Sequence, residues 1–164
     1  MAQFDSRALR NVFGQFATGV CVVTMMDKDN NFHGLTISSF NTVSLEPPLV
    51  LWSLRKQSWY AQHFLKTEAF AINVLSGHQH QVSDIFASAG SDKFHRVDHR
   101  VSSYKLPLID GALAHLECKM WRQVDGGDHW IFIGEVVDSL HTEGEPLIFF
   151  NGRYATTAGL SIPA

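Results

Sequence analysis

The sequence has few cysteines, a modest fraction of charged residues and no long apolar run in its 164 residues. Its two cysteines, Cys21 and Cys118, each lie in an apolar, strand-like segment, so we expect buried free thiols rather than a disulfide. No segment approaches 18 consecutive apolar residues, which argues against a membrane span. Residues 1–7 contain no apolar stretch of the kind a signal peptide needs. These absences predict a cytoplasmic protein that does not enter a membrane.

Several motifs are also missing. None of the twelve glycines forms Gly-x-Gly, and there is no Gly-Lys-Ser/Thr, which excludes a Rossmann fingerprint and a P-loop. His-Glu-x-x-His and Gly-x-Ser-x-Gly are absent too. A net charge of −3 argues against a nucleic-acid-binding module. The close histidine pairs, His78/His80 and His95/His99, have no obvious third ligand, so we favour solvated histidines and predict no metal site.

The pattern of apolar runs and turns predicts a mainly β protein, with one domain over residues 1–164. Strands are expected at 20–26, 32–40, 49–54, 69–75, 111–124, 129–137 and 147–150. Helices are expected after Asp5 or Ser6, from Ser58 and over 78–87, with an irregular segment at 90–107. Six or seven mostly antiparallel strands and three helices point to a β-barrel decorated with helices.

Two predicted elements carry specific faces. The first helix places Leu9, Val12, Phe13 and Phe16 on one stripe, which predicts a buried face, and Gly19 then breaks the helix. The strand 111–124 alternates between two sets of side chains. Its apolar set is Ala114, Leu116, Cys118 and Met120, and its polar set is Glu117, Lys119 and Gln123. The Asp125-Gly-Gly-Asp128 turn then tolerates positive φ and predicts a tight hairpin.

Hydroxyl side chains crowd one strand where a core strand would carry Val or Ile. Thr36, Ser38 and Ser39 suit a polar planar ligand that carries phosphate. The Pro47-Pro48 pair, which lacks N–H donors, is expected to stop strand pairing.

A basic turn follows the next strand. Arg55 and Lys56 precede a helix that Ser58 is expected to cap, which combines positive charge with free N–H groups as an anion site. The alternative is a solvated turn with an ordinary helix cap, and the position of the turn after the hydroxyl-rich strand favours the anion site.

His129 follows the Asp-Gly-Gly-Asp turn and opens an otherwise apolar strand. Its ring is therefore expected at the rim of the barrel. The alternative is a partly exposed histidine at a strand end, with Asp128 serving only to form the turn.

Taken together, these segments resemble the short-chain flavin reductases, the reductase components of two-component flavin-dependent monooxygenases. The resemblance extends from about Phe13 to Tyr154, and the combination of six motifs in order is far more specific than any one of them. The motifs are Phe16-Ala-Thr-Gly-Val20, His33-Gly-Leu-Thr-Ile-Ser-Ser-Phe40, Val43-Ser-Leu-Glu-Pro-Pro-Leu-Val50, Phe70-Ala-Ile-Asn-Val-Leu75, Gly127-Asp-His129 and Phe149-Phe-x-x-x-Tyr154.

The resemblance implies an antiparallel FMN-binding split β-barrel and a set of site residues. It places Thr36, Ile37, Ser38 and Ser39 along the isoalloxazine and ribityl chain of the flavin. It places Ser53, Leu54, Arg55, Lys56 and Ser58 at the phosphate. His129 would lie close to the flavin and nicotinamide as the catalytic-site histidine, and Phe13 and Tyr154 would border the nicotinamide pocket.

The activity implied is that of an NAD(P)H:flavin oxidoreductase, in which hydride passes from nicotinamide C4 to flavin N5. Either FMN or FAD, and NADH or NADPH, fits the sequence, and Trp52 is bulkier than expected beside the flavin segment. The resemblance further implies a homodimer, with reduced flavin diffusing to a separate monooxygenase that is not fused to this chain. Two alternatives stay open: a reductase acting on cobalamin or a ferric chelate, and a non-catalytic flavin-binding module.

Overall fold

The computed structural model describes residues 5–90 and 92–157, so the ends of the predicted domain, residues 1–4 and 158–164, lie outside it. The strands are β1 Thr18–Gly19, β2 Cys21–Met26, β3 Phe32–Ile37, β4 Asn41–Leu45, β5 Pro48–Arg55, β6 Ala69–Val74, β7 His99–Val101, β8 Pro107–Ile109, β9 Ala114–Gly126, β10 His129–His141, β11 Ile148–Phe150 and β12 Arg153–Ala155. The helices are α1 Ser6–Phe13, α2 Ala61–Phe64, α3 His80–Ala87 and a 3₁₀ turn at Lys93–His95. No helix in the described ranges has the length and apolar character needed to cross a bilayer.

Seven strands form the main sheet, in the order β3-β2-β6-β9-β10-β5-β4. Each described strand pair is antiparallel, and β9 and β10 form the long hairpin predicted around the Asp-Gly-Gly-Asp turn, where Gly127 has a φ of +80°. The sheet is not closed, because β3 and β4 are its two edges. Two small sheets, β1-β11-β12 and β7-β8, accompany it. The expected mainly β, antiparallel split barrel with helices is confirmed.

Strand β2 is buried on both faces, which explains its continuous apolar sequence. Cys21, Val23 and Met25 point into the main core, while Val22 packs in a second core beneath α3. Both cysteines are buried and free, as predicted, and burial raises the pKa of each thiol to about 12. The thiols therefore stay protonated and inert at neutral pH.

Trp52 belongs to the main core and not to a ligand surface. Its side chain is fully buried and stacks on Phe132, with ring centroids 4.7 Å apart. Because neighbouring residues of a strand point to opposite faces, the bulk of Trp52 lies away from Ser53 and places no constraint on the kind of flavin.

Helix α1 begins as predicted but does not bury its apolar stripe. The Asp5 side chain caps it by accepting a hydrogen bond from the backbone N–H of Arg7, and the helix ends at Phe13, well before Gly19. Val12, Phe13 and Phe16 are 65%, 66% and 76% exposed, so the predicted buried face is wrong for the single chain. An amphipathic pattern marks a face that favours burial without specifying that the same chain must cover it.

The two prolines build a hairpin instead of stopping strand pairing. Strand β4, which the sequence did not predict, returns through Glu46 and Pro47 into β5, and Leu45 pairs with Pro48. Proline is tolerated here because it stands at the first residue of its strand. The unpredicted strand is mostly exposed at the sheet edge, so it lacks the apolar alternation that would have indicated it.

Three smaller expectations also change. Helix α2 begins at Ala61 with Tyr60 as its N-cap, so Ser58 does not cap it; the Ser58 hydroxyl accepts from the Tyr60 N–H at 3.3 Å instead. The segment expected to be irregular, 90–107, contains the 3₁₀ turn and β7. Glu117, assigned to the polar face of β9, is buried and accepts a hydrogen bond from Ser102.

Candidate functional site

The outer face of edge strand β3 is the centre of the candidate site. Leu35 and Ile37 point into the main core, so Gly34, Thr36 and Ser38 share the opposite face. Helix α3 covers the middle of that face, where the Thr36 hydroxyl donates to the Ser83 carbonyl at 2.7 Å. At Gly34 a Cβ would lie 2.7 Å from the Phe86 ring, so glycine permits this close packing.

Two cavities open along this face. The larger has a volume of about 760 Å³, and its lining includes Gly34, Ser58, Trp59, Tyr60, Lys93 and Phe94. The smaller, about 560 Å³, is lined in part by Phe13, Ser38, Ser39, Phe149 and Asn151. Gly34 and Ser38 are four residues apart, which is about 13 Å along a strand. Both volumes lie within the range of small-molecule sites.

Lys93 places a buried cation at the larger cavity. The residue is 3% exposed, and its Nζ donates to the carbonyl oxygens of Phe86 at 3.0 Å and Gly34 at 3.4 Å. The ammonium also lies 4.8 Å from the centroid of the Tyr60 ring. Within residues 5–90 and 92–157, no carboxylate forms an ion pair with it. Burial lowers the pKa of Lys93 to about 8.

A buried ammonium without a counter-ion at a ligand-sized cavity is suited to hold an anion. Sequence reasoning missed Lys93, because it lies in a charged segment with no periodic pattern. The only signal was its position beside Phe94, and an isolated Lys-Phe pair has no specificity. The contact with Gly34 joins residues 59 positions apart.

Lys56, one of the two cations of the turn predicted as the phosphate site, is already paired with an acidic side chain. The Lys56 ammonium lies 2.6 Å from Oδ2 of Asp125, and the Lys56 N–H donates to the Asp128 carbonyl at 3.0 Å. The Lys56 hydrogen bond holds the pKa of Asp125 below its usual value. Arg55 is exposed and stands opposite His129 across the β5–β10 pair. None of Arg55, Lys56 and His129 lines either cavity.

His129 is held by its neighbour in a defined orientation. Its Nδ1 lies 2.7 Å from Oδ1 of Asp128, and this hydrogen bond is the main cause of the lowered pKa of the Asp128 carboxyl. An ionised carboxylate can only accept, so Nδ1 carries the proton in this pair. In the neutral ring, Nε2 is then a hydrogen-bond acceptor.

The other predicted site residues differ in whether their side chains already have partners within the structure. Ser39 exchanges two hydrogen bonds with the backbone of Ser53, while Ser38 is exposed at the smaller cavity. The Tyr154 hydroxyl donates to Asp84 at 3.0 Å and lies 2.8 Å from the Ser83 hydroxyl. The Ile37 and Leu54 side chains point into the core, so they are not available to a ligand.

These features fit the flavin that the resemblance implies. An edge strand leaves every second N–H and C=O without a strand partner, and such groups suit the heteroatoms of a flat polar ring. Lys93 and Ser58 line the same cavity and suit a phosphate. Trp59, Tyr60 and Phe94 add aromatic surface there. We therefore find both chemical requirements of a flavin, a ring platform and an anion anchor, along strand β3.

Residues 13–158 match the family model described as a flavin reductase like domain. The FMN reductase (NADH) SmoA of Agrobacterium fabrum is 41% identical over 150 residues, covering 92% of this chain and 85% of the relative. The reductase component of the flavin-dependent trigonelline monooxygenase of Acinetobacter baylyi is 41% identical over 162 residues; the match covers 96% of this chain but only 52% of that protein.

A solved structure is similar over nearly the whole chain. It is the NADH:FAD oxidoreductase SgcE6 of Streptomyces globisporus in complex with NAD and FAD fragments. The TM-score is 0.88 at 39% identity, over 94% of this chain and 96% of the other.

Proposed function

This chain belongs to the family of flavin reductase like domains, and from that premise we propose that it transfers a hydride from NADH to FMN or FAD. It is an NADH-dependent flavin reductase whose product, reduced flavin, serves a separate monooxygenase. Relatives named as an NADH-dependent FMN reductase and as a monooxygenase reductase component support both parts of this assignment.

The observation that carries the proposal is Lys93, a buried cation without a carboxylate partner in the described residues, at a ligand-sized cavity beside an edge strand. Two carbonyl oxygens and the Tyr60 ring contact the ammonium, but none of them carries a full negative charge, so a costly buried net charge remains. A ligand phosphate resolves that cost. Lys93 and Ser58 therefore hold the flavin phosphate.

The flavin, when bound, supplies the redox chemistry by accepting the hydride at N5 from nicotinamide C4. The chain supplies binding and orientation. Backbone groups of Thr36, Ile37 and Ser38 on the free edge of β3 bind the ring heteroatoms, and the exposed Ser38 hydroxyl adds a donor. The predicted Ser53–Ser58 segment reaches the phosphate through Ser58, with Arg55 contributing long-range positive charge. Lys56 stays paired with Asp125 and stabilises the turn.

His129 orients the nicotinamide. With its Nδ1–H bound to Asp128, its Nε2 accepts a hydrogen bond from the carboxamide N–H of NADH. The transfer of a hydride requires no proton from this ring, so His129 positions the donor rather than acting as an obligatory acid. Phe13, which lines the smaller cavity, and Tyr154, whose hydroxyl contacts Ser83 and Asp84, are the residues proposed to border the nicotinamide.

The enzyme is a homodimer, and α1 lies at the contact between its subunits. Val12, Phe13 and Phe16 form an exposed apolar face, and a contiguous exposed apolar face is typical of a surface that another protein covers. Phe13 and Phe16 also line the smaller cavity with Ser38. A second copy that covers α1 would therefore close the ligand site as well. The cytoplasm is the proposed location, which two free buried thiols support.

The test is NADH oxidation by purified protein with added FMN or FAD. The expected result is a rate far above that of flavin without protein, and oxygen-independent bleaching of the flavin. Cobalamin and a ferric chelate, offered without flavin, are expected to give no turnover. The proposal is overturned if NADH oxidation does not exceed the flavin control with either flavin. Turnover with cobalamin or with the ferric chelate, and with no flavin, would instead assign the enzyme to that acceptor.

A further inference from the structure

A cluster of metal-ligating groups lies at the turn between β2 and β3, beside α2. Asp27 follows β2, His33 belongs to β3 and His63 belongs to α2. One potential ligand atom from each of the three lies within 4.8 Å of the others. The His33 Nε2 is 2.7 Å from Asp27 Oδ2, and the two imidazole centroids are 4.2 Å apart.

His63 has a polar atom that the fold does not satisfy. Its Nε2 is buried and has no hydrogen-bond partner among the described residues. Leaving a buried ring nitrogen unpaired is costly, so such an atom calls for an explanation. A bound cation would accept the lone pair of Nε2. The neighbouring Asp27 and His33 would supply further ligands to it.

The carboxylate is already fixed in position. Asp27 Oδ1 accepts the backbone N–H groups of Asp29 and Asn31, each at 2.9 Å, which leaves Oδ2 directed to His33. Ligands held by such outer hydrogen bonds bind a metal without first losing conformational freedom. The Trp59 ring packs on His63, with centroids 4.4 Å apart, and restricts its orientation.

We propose that Asp27, His33 and His63 bind a divalent transition-metal ion of the zinc type. Two imidazole nitrogens and one carboxylate oxygen form a ligand set that zinc uses when it keeps a fourth position open. His33 binds through one ring nitrogen while its proton resides on the other, because a nitrogen lone pair cannot hold both. Ligand atoms around a tetrahedral zinc lie about 3.3 Å apart, so the present separations, all within 4.8 Å, adjust when the ion binds.

The site adjoins the cavity of the proposed phosphate anchor through one residue. Asp27 and His63 line a third cavity of about 520 Å³, whereas His33 borders the larger one. Lys28, Lys66 and Lys105 line that third cavity as well, together with Asp29 and Glu68. The lysines oppose a cation and the two carboxylates offset part of that charge. With three protein ligands, we expect weaker binding than in a closed site with four. The inference does not depend on flavin reduction.

The test uses the full chain without a histidine tag, freed of metal with a chelator. Calorimetric titration with zinc chloride is expected to show one ion per chain, and cobalt(II) is expected to give the visible absorption of a low-coordinate site. Zinc is also expected to raise the Tm. His63→Asn and Asp27→Asn each weaken zinc binding at least tenfold and abolish the rise in Tm.

The matched control is His80→Asn, a change at an exposed histidine of α3, which is expected to bind zinc like the original chain. Circular dichroism verifies that each variant is folded, and His63→Asn removes a ring that makes no hydrogen bond through Nε2. The proposal is overturned if no stoichiometric binding occurs, or if His63→Asn and Asp27→Asn retain the original affinity. Loss of binding in His80→Asn would place the ion on the surface and overturn it equally. Flavin reduction in metal-free protein tests the proposed function separately.

Discussion

The Ser39 hydroxyl takes the place of a strand backbone opposite Ser53. It accepts the Ser53 N–H at 2.9 Å and donates to the Ser53 carbonyl at 3.1 Å. The β4–β5 register pairs Asn41 with Leu51, so its continuation would set Ser39 against Ser53. One side chain thus satisfies the backbone of β5 where β4 has ended, and it ties the end of β3 to the other edge of the barrel.

Ser39→Ala is expected to lower the free energy of unfolding by about 1–2 kcal/mol, because the part-buried Ser53 N–H and C=O lose their partner. Chemical denaturation measures the loss. The control, Ser38→Ala, changes an exposed neighbouring serine and should stay within about 0.5 kcal/mol. Equal stability of the two variants would contradict a bridging role for Ser39.

Lys93→Met is expected to weaken FMN binding by about ten- to a hundredfold, since one charge-assisted hydrogen bond is worth roughly 1.5–3 kcal/mol. Lumiflavin, which has no phosphate, should bind the variant and the original chain equally. Fluorescence titration gives both dissociation constants.

Lys56→Met and Arg55→Met are the matched comparisons for Lys93→Met. Lys56 is already paired with Asp125 and Arg55 is exposed, so each change should alter FMN affinity less than Lys93→Met does. If either variant loses more FMN affinity than Lys93→Met does, the phosphate binds at the basic turn and not at Lys93.

FMN affinity is expected to fall as the pH rises above about 8. The pKa of Lys93 is lowered to about 8, so its ammonium is charged below that pH and increasingly neutral above it. The dissociation constant should then rise by up to about tenfold per pH unit until the pKa of the complex is reached. Lumiflavin binding to the original chain and FMN binding to Lys93→Met should not depend on pH in this range. If FMN binding to the original chain is also independent of pH, Lys93 does not contact the phosphate.

His129→Ala is expected to retain flavin affinity while lowering kcat/KM for NADH by about 1.5–3 kcal/mol, the value of one well-placed polar contact. Asp128→Ala should have a smaller effect in the same direction, because it frees the ring without removing it. Stopped-flow reduction across NADH concentrations separates binding from transfer. Unchanged reduction by His129→Ala would make this residue a simple strand-end histidine.

Phe16→Glu is expected to convert a dimer to a monomer, because it places a charge on the exposed apolar face of α1. Light scattering after gel filtration gives the mass. Leu140→Glu is the comparison, since Leu140 is 56% exposed on β10 and lines neither cavity along β3. A monomeric original chain would refute the proposed dimer.

Much of the fold is predictable from local pattern. The runs that became β2, β5 and β6 are apolar and rich in branched residues, and the Asp-Gly-Gly-Asp turn encodes the long β9–β10 hairpin. Strand β4 was missed because an exposed edge strand needs no apolar alternation. The burial of Glu117 was missed because its partner, Ser102, comes from a segment without periodicity.

By itself, the sequence predicted the apolar core strands, the buried cysteines and the hydroxyl-rich strand, since these depend on neighbours a few residues apart. Only the tertiary structure decided which charged side chains are available to bind a ligand. It paired Lys56 with Asp125 across 69 positions and buried Lys93 against the carbonyl of Gly34. It also brought His63 beside His33 and Asp27. Periodicity reports the face on which a side chain lies, whereas its partners depend on how the chain closes over long distances.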